Sequence, residues 1–316
     1  MSDLSGKDDS LDRLLQSARS LVHFAATAME DPRAVPGQRM AAANVVLQDR
    51  SDNPAVLSKI TSWLDPVSDP KLQFAAVRML AESGGHEMPG LLLGHLHSLS
   101  PATRTAAVEA LLSREAWSLA LLEQEEGTPV TVFDATQRAR LSRHPSPKVR
   151  AFALQKTATA SPRSQVLEAF RPALALPGNS QRGQQVFLAR CAACHNIDGA
   201  GPGLGPDLKS ISAHPAEKIL INIIDPGLDV QPGFFGYEAK LNDGTVLYGL
   251  VTSETSNSIT FKLTDGSTRL MARQDLSELR TTGQSLMPVG LEAGLSPQDM
   301  ADLIAWLRGG SRRVPS

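Results

Sequence analysis

The apolar positions of this chain keep two different periods. Through the first 178 residues they return at helical spacing, and a signature recurs there: proline, Arg or Gln at +3, Ala at +6 and Ala or an aliphatic residue at +7. It reads Pro36-Arg39-Ala42-Ala43, Pro70-Gln73-Ala76-Val77, Pro101-Arg104-Ala107-Val108 and Pro147-Arg150-Ala153-Leu154, with starts 34, 31 and 46 residues apart. Proline fits the first position of a helix, and Asp69, Ser100 and Ser146 stand just before it as caps. The small residue at +6 lets neighbouring helices approach, and second helices are predicted over 55–64 and 88–99. Further on the period becomes two. Phe235-Gly236-Tyr237-Glu238-Ala239-Lys240-Leu241 alternates, Asn242-Asp243-Gly244 marks a hairpin turn, and 245–252 is rich in β formers. Residues 258–263 alternate again, and Asp265-Gly266 turns the chain before 268–271. About four strands in a small antiparallel insert, at about 234–279, are predicted. A final helix over 297–308 restores the helical period.

The chemistry lies in Cys191-Ala192-Ala193-Cys194-His195, a C-x-x-C-H sequence containing the only two cysteines of the chain. That spacing attaches a c-type haem: two thiols on one helical turn reach two vinyl groups, and the following histidine is held under the iron. The alternatives are a redox thiol pair, usually set in a βαβ pattern that is not visible here, or half of a zinc site. Zinc would need two more ligands at short spacing, and the nearest downstream histidine is the isolated His214. A short helix over 182–188, capped by Asn179 or Ser180, is predicted to run into the cysteines. The Gly/Pro-rich stretch 198–208 after them suits a loop wrapped against a flat ligand. Among the eight methionines, Met287 in Ser285-Leu286-Met287-Pro288 has the turn setting suited to reaching iron as a second axial ligand. It lies 92 residues beyond His195, a spacing stretched by the β-rich insert. Met271 falls in a strand-like run and Met300 on the last helix.

These motifs resemble the planctomycete-type haem-binding domain, a branch of the cytochrome c superfamily. The resemblance rests on Gly183 and Phe187, Cys191 to His195, Gly205-Pro206-Asp207-Leu208, Ile224-Asp225-Pro226, Ser285-Leu286-Met287-Pro288 and Asp302-Leu303-Ile304-Ala305-Trp306-Leu307. It covers about 179–309. It implies one covalent haem c per chain on Cys191 and Cys194, with His195 and Met287 as the metal ligands and Leu208 in the cofactor-binding loop. By the same resemblance the Pro206 carbonyl accepts a hydrogen bond from the His195 ring, and Phe187 meets Trp306 between the first and last helices. The signature of the first part resembles HEAT-type α-solenoid repeats, which in this family often precede the haem domain. The expected fold is therefore mostly α: a HEAT-like repeat domain at 1–178, then a cytochrome c haem domain at 179–316 carrying the β insert, with 171–180 as the joint.

Charge narrows the partners. The net charge is −2, with 19 basic and 19 acidic residues over 1–178 and 12 against 14 over 179–316, so neither part has the basic excess of a nucleic-acid binder. No apolar run approaches a membrane span. No signal peptide is visible either, since residues 1–10 carry three aspartates. Haem c is attached outside the cytoplasm, so the expectation is a periplasmic or otherwise exported protein of which this chain is a fragment. Electron transfer is the expected function, from a redox partner protein or a fused dehydrogenase domain. A haem-based sensor or ligand-binding domain is the alternative, and it requires Met287 to be off the iron or easily displaced. No distal acid–base group points to an enzyme. The histidines of the first part, His23, His86, His95, His97 and His144, are scattered.

Overall fold

The structure is a computed structural model describing residues 5–50, 54–124, 133–157, 163–197 and 203–309. The described residues are mostly helical, with one small antiparallel sheet. The N-terminal helices are α1 Ser5–Glu30, α2 Pro36–Arg50, α3 Pro54–Ser62, α4 Pro70–Ser83, α5 Met88–His95, α6 Pro101–Leu111, α7 Glu115–Glu123, α8 Ala135–Ser142 and α9 Pro147–Thr157. They stack in two rows: α2 packs on α4 and α4 on α6, while α5 packs on α7 and α7 on α9. One continuous hydrophobic cluster, from Ala25 to Ala153, fills the space between.

The recurring signature has a physical explanation. Each signature proline opens a helix, and the +6 residues Ala42, Ala76, Ala107 and Ala153 are buried where neighbouring helices meet. The +3 side chain reaches back to a carbonyl near the end of the preceding helix or turn. Arg39 Nε donates to Met29 O at 3.1 Å, Gln73 Nε2 to Asp65 O at 2.7 Å, and Arg150 Nη1 to His144 O at 2.6 Å. In the third copy the buried Arg104 guanidinium lies 4.8 Å over the ring of Phe235, in the β-rich segment. Of the expected caps, Asp69 accepts from Lys71 N, whereas Ser100 makes no capping bond and donates to Thr103 Oγ1. Helix α5 stops at His95, short of the predicted 99.

The remaining helices are α10 Ser164–Phe170, α11 Ser180–Arg190, α12 Ala216–Ile224 and α13 Pro297–Arg308. The start of the expected joint at 171–180 packs on the helices that follow. Phe170 and Ala173 are buried in a second cluster with Phe187, Ile219, Leu220, Met300 and Trp306, because α10 and a 3-10 turn at 171–174 pack on α12 and α13. The crossing of α11 and α13 organises this cluster. Phe187 and Trp306 stack with centroids 4.4 Å apart. The buried Asp302 accepts from Asn179 N at 2.6 Å, Arg182 Nε at 2.7 Å and Gln298 Nε2 at 2.9 Å. Asn179, not Ser180, caps α11, accepting from Gln181 N and Arg182 N.

The sheet has five strands, one more than predicted: β1 Phe235–Leu241, β2 Val246–Glu254, β3 Ser258–Leu263, β4 Thr268–Ala272 and β5 Leu276–Ser285, in the order β4-β3-β2-β1-β5. All pairs are antiparallel. Gly244 and Gly266 supply the positive φ that the two Asp-Gly turns require. The fifth strand escapes a periodicity reading because Glu278, Arg280 and Gln284 dilute its apolar positions, and pairing with β1 is what holds it extended. The insert therefore runs past 279 to Ser285, directly into the segment of Met287. The sheet has its own hydrophobic cluster. It also leans on the N-terminal helices, where Tyr237 Oη donates to Leu99 O at 3.0 Å and Arg273 Nη1 to Pro66 O at 2.8 Å.

Candidate functional site

Helix α11 delivers the two cysteines. Its register ends at Cys191, whose N–H closes the last turn on Phe187 O at 2.8 Å. The chain then coils tightly: Cys194 N and His195 N both donate to Cys191 O, at 3.1 and 3.0 Å. Both thiols are free and half-buried. The following loop is tied back to this turn, since Gly205 N donates to Cys194 O at 2.8 Å and Leu208 N to Asn196 O at 2.9 Å. Residues 198–202 of that loop lie outside the described residues.

The loop fixes the histidine. His195 Nδ1 lies 2.9 Å from Pro206 O. A carbonyl only accepts, so Nδ1 is the protonated nitrogen and Nε2 carries the lone pair. Burial lowers the His195 pKa, opposed by the Pro206 bond, so the ring is neutral at physiological pH and able to ligate. Gly205 lies flat against it: a Cβ at Gly205 would be 2.5 Å from His195 Cε1 and 2.7 Å from Nδ1. Burial, with Cys194 adding to it and Arg190 opposing, pushes the Cys191 thiol up to about 11.

Every site residue read from the sequence faces one cavity. Phe187, Cys191, Cys194, His195, Pro206, Leu208 and Met287 all line this one cavity, which is partly open to solvent. Met287 N donates to Ser285 Oγ at 3.1 Å, which folds the segment after β5 into the cavity wall. The structure adds further wall residues. Ile219, Asn222 and Ile223 of α12 form one wall, and Phe234 and Leu286 bring the sheet to its edge. The signal for α12 was present in its amphipathic spacing, with Ile219, Leu220, Ile223 and Ile224 buried. His214, isolated in the sequence, also lines the cavity.

The donor set suits a large, flat, apolar ligand that carries iron, with a neutral imidazole and a soft thioether on a mostly hydrophobic space. The cytochrome c family model matches residues 180–243, the stretch from α11 through the Cys191–His195 turn and α12 to the turn after β1, and supports placing this segment in the cytochrome c superfamily, with haem-based electron transfer as its general role.

Proposed function

We propose that Cys191 and Cys194 carry one covalent haem c, that His195 and Met287 are its axial ligands, and that the protein passes single electrons. The observation that carries the reading is convergence: segments 92 residues apart bring a neutral imidazole, two thiols and a thioether to one cavity. The residues fit such a group. Gly205 keeps its backbone clear of the His195 ring where any Cβ would collide, and the Pro206 carbonyl holds the tautomer that leaves Nε2 as the donor. A bound haem would supply the one-electron exchange. The chain's part is to hold it: Pro206 orients the imidazole and raises its basicity, while Phe187, Ile219, Ile223 and Leu307 keep water from the ring. A thioether opposite histidine favours the reduced state and electron transfer over oxygen chemistry.

In this reading the N-terminal rows are HEAT-type repeats that serve as scaffold and docking surface. The protein is exported, and its electrons come from a redox partner or a fused dehydrogenase domain. The test is maturation with haem c followed by denaturation and spectroscopy. Haem retained on the denatured chain, low-spin spectra in both oxidation states and slow carbon monoxide binding support the carrier. Haem lost to acid–acetone refutes covalent attachment. High-spin iron with rapid carbon monoxide binding replaces the carrier with a sensor.

A further inference from the structure

The N-terminal helices touch the strand pair that leads to Met287. Three contacts follow one another along β1 and β5. In the first, Thr281 N of β5 donates to His97 O at 2.7 Å. Directly opposite Thr281 in the register stands Tyr237, 1% exposed, whose Oη donates to Leu99 O at 3.0 Å. Burial pushes that phenol well above its ordinary pKa, so it remains a donor. Nearer the cavity, Arg104 covers the ring of Phe235, and Phe235 pairs with Ser285. The Ser285 hydroxyl accepts from Met287 N.

All three contacts come from one place, the corner between α5 and α6 together with the first turns of α6. The carbonyls of His97 and Leu99 belong to no helix, and the sheet satisfies them. β5 is an edge strand, paired with β1 on one side only. Its register beside the cavity is irregular, with a bulge between Phe235 and Tyr237 where Thr281 Oγ1 and Thr282 Oγ1 both donate to Gly236 O. Such a bulge re-aims the residues that follow it. There is little slack around it: a Cβ on Gly236 would lie 2.8 Å from Tyr248 Oη and 3.1 Å from Leu286 Cδ2. An edge strand with a bulge needs an outside anchor to hold one register, and the corner supplies it.

We infer that the α5–α6 corner positions Met287, so that Tyr237 and Arg104 are positioning residues for axial ligation and the N-terminal helices govern the iron site. The inference rests on Met287 being an axial ligand. A partner that binds the N-terminal helices and shifts this corner would alter the ligation, and with it the potential.

The test uses the full chain matured with haem c, unmutated and as Tyr237→Phe, Arg104→Met, Val46→Ala and Met287→Ala. Tyr237→Phe removes one buried hydrogen bond and leaves a carbonyl unsatisfied, which corresponds to about a tenfold change in the docking equilibrium. Carbon monoxide association with the ferrous protein is expected to quicken by about that factor, with a lower midpoint potential and a weaker Met–iron charge-transfer band. Arg104→Met is expected to act in the same direction. Val46→Ala loosens the same helical core away from the corner, where Val46 is buried in α2, and is expected to leave these readouts alone. Wild-type rate and potential in both corner variants, or an equal change in Val46→Ala, would overturn the inference. Hydrogen exchange on the unmutated protein tests it without any variant: Thr281 N–H must be protected, and free exchange there sinks the anchor. If Met287→Ala leaves the spectrum unchanged, the failure lies instead with the axial assignment.

Discussion

Replacing Gly183 by alanine probes the crossing that builds the haem-side core. Gly183 sits in the first turn of α11, where alanine normally improves a helix by up to about 1 kcal/mol. Here the added Cβ would lie 2.0 Å from the Asp302 carbonyl oxygen, 2.5 Å from its carbon and 2.9 Å from Trp306 Cβ. Ordinary contact begins near 3.4 Å, so α11 and α13 must part by about 1.4 Å. The obstacle is backbone and cannot swing aside. A gap of about 0.5–1 Å already forfeits a quarter to a half of each dispersion contact, and Phe187 on Trp306 and the Asp302 hydrogen bonds lie in the surface that opens. Overpacking of this kind costs about 1–3 kcal/mol; with backbone as the obstacle we expect the upper part of that range, net of the propensity gain. Urea unfolding followed by circular dichroism should show the midpoint lowered by about 1 M. Gly90→Ala is the matched control. Gly90 is also helical, but a Cβ there meets nothing within 4 Å, so the same substitution should stabilise by about 0.5–1 kcal/mol. Equal midpoints for Gly183→Ala and the unmutated protein would refute the crossing geometry.

Other consequences are as direct. Burial raises the Asp302 pKa, but Arg182, the Asn179 N–H and Gln298 outweigh it, and the carboxyl ends below its ordinary value. The unfolded chain therefore takes up this proton first: the stabilisation is complete above about 3.9 and is lost as pH falls below that. Asp302→Asn should destabilise at pH 7 and by progressively less in acid, read from urea midpoints; a pH-independent difference would count against the ionised clamp. In haem-free protein the Cys191 thiol, raised to about 11, stays protonated where an unfolded thiol ionises. Its contribution to stability is present below about 8.5 and is lost as pH rises toward 11, and its alkylation at neutral pH should be slower than in the unfolded chain; equal rates would contradict the burial. Gly205→Ala should displace the His195 ring, so that matured protein keeps its haem thioethers but shows altered axial ligation in its spectrum; an unchanged spectrum would show that the ring does not rest on Gly205.

Elements carrying their own local signals were readable in the sequence. Helix α13 begins at Pro297 because Ser296 and Asp299 form a capping box there, and both the proline and the serine are visible in the chain. The Cys191–His195 motif is five residues long and lies inside the segment that the cytochrome c family model matches. The two Asp-Gly turns fixed the hairpins. What stayed hidden depends on distant partners. β5 is extended because β1 lies beside it, and Tyr237 meets Leu99 across 138 residues with no trace in either local pattern. Arg104 carries the same signature as Arg39 and Arg150, and only the fold reveals that it faces the sheet. The last signature copy shows the limit from the other side, since its +7 residue, Leu154, is 68% exposed. Nothing local in 171–180 shows that Ala173, with Phe170 just before it, is buried where the 171–174 turn packs on α13.

The measurement closest to the central claim is a spectroelectrochemical titration of the full chain matured with haem c, alongside Met287→Ala. The account requires one haem per chain titrating as a single one-electron wave, low-spin in both states, with the charge-transfer band of Met–iron ligation in the ferric form. In Met287→Ala that band should vanish, the midpoint potential should fall, and carbon monoxide should bind readily. A Met287→Ala protein that keeps the unmutated potential and low-spin spectra would contradict it, and would turn attention to His214 on the same cavity wall.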